Sequence, residues 1–69
     1  MTRFLVVHDY GQGGLWAYVD AASATEIEEA FREVSVVATA PQWLTSDLRA
    51  KLDVCDIANP TEWLATLRR

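Results

Sequence analysis

Cysteine and histidine are almost missing from this chain of 69 residues: Cys55 and His8 are the only ones. No disulfide can form within it, and a closed structural zinc site, which takes about four nitrogen and sulfur ligands, cannot be assembled. A lone cysteine fits a reducing compartment. Long apolar runs are also lacking. Phe4-Leu5-Val6-Val7 stops at His8-Asp9, short of the roughly 7–15 residues of a signal-peptide core and far short of the ~20 that span a bilayer as a helix. The expected location is the cytoplasm, with no membrane contact.

Basic residues are scarce in the first half. Asp9, Asp20, Glu26, Glu28, Glu29 and Glu33 stand there against Arg3 and Arg32, whereas the acids and bases after residue 33 balance. The net charge of −4 therefore belongs to the N-terminal half, which repels nucleic acid and anionic lipid surfaces. No linker or repeat interrupts residues 1–69, so the chain reads as one domain. Domains this small bury only about 60% of their unfolded surface. Dense aromatic packing or association with another chain must make up the difference.

Residues 3–10 and 15–20 are rich in β-branched and aromatic types, and Gly11-Gln12-Gly13-Gly14 separates them. Glycine supplies the positive φ of a tight reversal, so the pattern predicts a hairpin. A four-residue loop pairs Tyr10 with Leu15, His8 with Ala17 and Val6 with Val19. Alternation then gathers Leu5, Val7, Asp9, Trp16, Tyr18 and Asp20 on the opposite face.

Ser23 followed by Glu26 is a helix-start signal. Ile27, Ala30, Phe31 and Val34 continue it as one apolar stripe, with Glu26, Glu29 and Glu33 opposite and Glu28–Arg32 as an i,i+4 pair. Residues 35–39 read as a third strand. Thr45 or Ser46 caps a short helix running to about Leu52, and residues 54–57 are a fourth strand or an extended connection. Asn59-Pro60-Thr61-Glu62 opens a last helix, with Asn59 as its cap and Arg68 and Arg69 complementing its C-terminal dipole. The fold class expected is α+β, in the order ββαβα(β)α. The sheet is three-stranded, or four-stranded if residues 54–57 pair. It is mostly antiparallel, in the order 2-1-3, with the main helix on the face bearing Phe4, Val6 and Val19.

Catalytic motifs are missing too. The glycine cluster lies between two strands, whereas phosphate loops deliver their amides at a helix N-terminus. His8 and Asp9 point to opposite faces of a strand and cannot share a metal. Cys55 has no reactive-cysteine context and reads as a small core residue. Ser23 and Ser46 read as caps. The glutamate stripe reads as a solvated helix face. No cofactor site is expected.

One surface remains. Leu5, Val7, Trp16 and Tyr18 form an apolar patch on a face that the main helix does not cover. Single-strand nucleic-acid platforms interleave such aromatics with Arg and Lys, but the neighbours here are Asp9 and Asp20. Either Trp43, Trp63 and the leucines of the later helices cover this face, or a protein partner or a second copy does. The leading expectation is a small non-enzymatic interaction module acting through this face or through the acidic helix. The alternatives are a small-molecule binder or minor enzyme subunit, with a pocket framed by His8, Tyr10, Trp43 and the glycine loop, and an acidic inhibitor that mimics nucleic acid.

Overall fold

The computed structural model describes residues 1–8 and 14–69. The elements are β1 (Thr2–His8), β2 (Leu15–Ala21), α1 (Ala24–Ala30), β3 (Ser35–Val37), α2 (Ser46–Arg49), β4 (Asp53–Asp56) and α3 (Glu62–Ala65). They form an α+β fold on a mixed sheet of order β3-β1-β2-β4. The segment β3-β1-β2 has the expected neighbours. The expected order 2-1-3 left β2 at an edge, however, and β4 covers that edge in parallel, pairing Tyr18 with Val54 and Asp20 with Asp56. The ladder runs on through Ile57, whose N–H donates to the Asp20 carbonyl at 3.0 Å.

The hairpin register is two residues away from the symmetric-loop expectation: His8 pairs with Leu15, Val6 with Ala17 and Phe4 with Val19. Gly14 explains part of the slip. Its φ is +84°, and a Cβ there would lie 2.9 Å from Val7 Cγ2, so it belongs to the turn and not to the strand. The expected Tyr10 pairing falls outside the described residues. Because the slip is even, every described side chain of the two strands keeps its predicted face.

On the helix face, Val6, Ala17, Val19 and Ala21 pack with Ile27, Phe31, Val34 and Leu64 in one buried cluster. Each large side chain sealed there contributes about 1.5–3 kcal/mol. The start of α1 follows the sequence reading. Ser23 Oγ accepts from Glu26 N at 3.2 Å, and the Glu26 carboxylate accepts from Ala22 N at 3.0 Å. Its end does not. The helix stops at Ala30, and Phe31 is extended at φ −128° and ψ 146°. The cause is the C-terminal segment: Arg32 N–H donates to Leu67 O at 2.7 Å and Arg69 N–H to Ala30 O at 2.9 Å. Phe31 and Val34 stay buried outside the helix, while Arg32 falls beyond it and the Glu28–Arg32 helical pair is lost.

Thr45 caps α2 as expected, its Oγ1 accepting from Leu48 N. At α3 the cap is Thr61 instead of Asn59. The Asn59 N–H is held by Asp56 Oδ1 at 2.8 Å in a turn after β4, and Thr61 Oγ1 donates to Asp53 Oδ2 at 3.1 Å. Arg68 donates to Ile57 O and lies over the Phe31 ring, 5.9 Å from its centroid. Among the described residues no helix is long and apolar enough to cross a membrane.

Candidate functional site

Alternation along β1 and β2 places Leu5, Val7, Trp16 and Tyr18 on the face away from α1. The partner of Tyr18 on β4 adds Val54 to the same face. The segment after β3 turns back across it. A reverse turn at residues 41–44, closed by Leu44 N–H donating to Pro41 O at 3.0 Å, sends Leu44 inward and Trp43 outward. Leu5 and Leu44 are buried by the chain's own packing, so covering Leu5 requires no second molecule. Val7, Trp16 and Tyr18 are half-buried.

Trp43 meets Trp16 edge-on, with ring centroids 5.4 Å apart and planes at 83°. This geometry sets the positive edge of one indole against the negative face of the other. Trp43 nonetheless keeps 55% of its surface exposed, and Val54 keeps 52%. The site is thus an outer apolar layer on a partly covered sheet face, with aromatic support beneath it. Sequence reasoning missed Val54, because its face is settled only by pairing with β2.

At one end of this face Arg3 and Asp20 are directly opposed across β1 and β2. Arg3 Nε and Nη2 donate to the two Asp20 carboxylate oxygens at 2.9 and 3.2 Å. The hydrogen bonds, helped by the charge of the partner, lower the pKa of Asp20 and raise that of Arg3. Both groups face water, so the pair positions the strand ends and adds little stability.

The pocket expected from His8, Tyr10 and Trp43 is not assembled by the described residues. His8 shares the helix face with Val6 and stacks on Trp63 at 6.5 Å, whereas Trp43 is on the opposite face with Trp16. Tyr10 lies outside the described residues. The two later tryptophans therefore divide: Trp43 goes to the aromatic face and Trp63 to the helix face. The acidic stripe is dispersed as well, since Glu26 is engaged in capping and Glu33 lies past the end of α1. Cys55 is half-buried with Sγ 3.7 Å from Tyr18 O, and burial raises the pKa of its thiol. Among the described residues, no three His, Cys, Asp or Glu side chains gather in a group that could hold a metal ion.

No protein-family model, curated protein or solved structure matches this chain.

Proposed function

We propose that this chain is a protein-binding module that works in the cytoplasm and docks through Trp16, Tyr18, Trp43 and Val54, with Leu5 and Val7 as the floor of the surface. The observation that carries this reading is the exposure of Trp43 and Val54 on either side of the half-buried Trp16 and Tyr18. Large aromatics held by their own scaffold are the usual energetic anchors of protein interfaces. Sealing the exposed part of one indole and one valine, about 200 Å2, recovers roughly 4–5 kcal/mol at about 25 cal/mol per Å2. The same face carries Asp56, and its Arg3 is already paired with Asp20, which disfavours nucleic acid and anionic lipid.

A second copy of the chain is the occupant that fits a two-fold contact, because one such contact buries the same patch twice. Edge pairing of two β4 strands is a poorer arrangement. In its full-length antiparallel register Asp53 would stand opposite Asp56 at both ends, and like charges opposed across a ladder destabilise it. Light scattering over a concentration series tests the face-to-face contact. The mass should rise from 7.7 kDa toward twice that value, and Trp43→Ser should hold it at the monomer with an unchanged circular dichroism spectrum. A mass that stays monomeric up to millimolar protein overturns self-association.

A further inference from the structure

β3 pairs with β1 only at Leu5, Val6 and Val7 and ends at Val37, while β1 runs on to Thr2. On that side Thr2–Phe4 are a strand edge with no neighbouring strand among the described residues. Successive strand residues turn their N–H and C=O to alternate sides, so either Arg3 or both Thr2 and Phe4 present an unused donor and acceptor. This edge floors a cleft of about 590 Å3, within the ~300–1,000 Å3 of typical ligand sites. Ala24 and Glu28 of α1, Tyr18, Arg49 and the end of β3 at Val36 to Ala38 also line it.

Arg49, which lines this cleft, carries an unsatisfied polar atom among the described residues. Its Nε is buried with no hydrogen-bond partner, and among the described residues its guanidinium has no carboxylate within ion-pair distance. Arg3, by contrast, is already held by Asp20. A buried donor left unmade costs about 1–3 kcal/mol, more when charged. Among the described residues Glu28 is the single carboxylate lining the cleft, and its charge disfavours a doubly charged anion such as a phosphate.

We propose that this cleft binds the carboxy-terminal end of an extended polypeptide. The peptide adds a short strand to β1 where β3 has ended, and its terminal carboxylate is received by Arg49. Open strand edges recruit extended peptides through main-chain hydrogen bonds, and an arginine supplies the fork that a carboxylate matches. At ~3.3 Å per residue, the Thr2–Phe4 edge accommodates about three residues of such a peptide. The cleft shares Leu5 and Tyr18 with the aromatic face, but the observations that carry it, the open β1 edge and Arg49, are not among that face's docking residues.

The test uses the full chain and a pool of randomised hexapeptides, prepared once with free carboxy termini and once amidated. Peptides retained from the free-acid pool are labelled with fluorescein at the amino end and titrated by polarisation. Amidation should weaken binding at least tenfold, and Arg49→Gln should abolish the acid-over-amide difference while circular dichroism stays unchanged. Arg49→Lys should restore part of that difference. Hydrogen exchange of the wild-type chain with bound peptide should slow at Thr2–Phe4, a readout that needs no variant. Three results overturn the proposal: no retained peptide, equal affinity for acid and amide, or displacement by acetate or benzoate at the peptide's own concentration.

Discussion

His8 Nδ1 lies 3.0 Å from the main-chain carbonyl of Glu33, and Glu33 is a non-glycine residue with φ of +56°. A carbonyl only accepts, so the imidazole carries its proton on Nδ1 and donates it. The bond ties the end of β1 to the reversal between α1 and β3, at a backbone conformation that costs an L-residue about 1–2 kcal/mol. The histidine that invites a metal or catalytic reading is thus a latch on a strained turn. Glu33→Val should lower the unfolding free energy by about 1–2 kcal/mol, read as a lower urea midpoint, because a β-branched side chain tolerates this region worst. Glu33→Gly should leave the midpoint unchanged or raise it. Equal losses from both would show that the carboxylate, and not the backbone, matters at this position.

Gly14 leads into β2 at φ +84° with Val7 Cγ2 where a side chain would begin. Gly14→Ala combines a strained backbone with a close contact and should cost about 1–3 kcal/mol. The measurement is equilibrium urea unfolding, and an alanine variant as stable as the parent would refute the turn geometry.

The Arg3–Asp20 pair predicts a pH signature. Asp20 titrates below the ordinary carboxylate range when folded, because Arg3 hydrogen-bonds its charged form. A depressed folded pKa means the unfolded chain binds more protons in this window. The contribution is therefore present above the ordinary carboxylate pKa of about 3.9 and is lost as pH falls through the lower folded value. Carbon-detected NMR should place the Asp20 midpoint below that of an unpaired aspartate, and Arg3→Gln should return it to the ordinary range. An unchanged midpoint in that variant would remove Arg3 as the cause.

Cys55 should be slow to react and dispensable. Burial, foremost, raises the pKa of its thiol, and the carboxylates of Asp56, Asp53 and Asp20 act in the same direction. The thiolate is the nucleophile, so alkylation by iodoacetamide at pH 8 should be much slower in the native chain than in urea. Cys55→Ala should preserve peptide binding and self-association. A folded alanine variant that has lost either one would assign the sulfur a role.

Much of this architecture can be read from local pattern. The period of two in residues 3–8 and 15–20 assigns Val6, Ala17 and Val19 to one face and Leu5, Val7, Trp16 and Tyr18 to the other, and an even register slip cannot disturb that division. Ser23 and Thr45 cap α1 and α2 because a short oxygen-bearing side chain before an apolar stripe satisfies helix amides locally. What escaped the sequence depends on segments far apart in the chain. Arg3 meets Asp20 only in the observed register, since a four-residue loop would have set Asp20 opposite Leu5. α1 ends at Ala30 because residues 67–69 compete for the backbone groups of Ala30 and Arg32, which helix periodicity does not register. Trp43 and Trp63 look alike in sequence, but the turn at 41–44 and the docking of α3 beside Phe31 send them to opposite faces. The cleft at Arg49 exists because β3 stops three residues before β1 would need it to, and the length of a strand is set by its neighbours as much as by its residues.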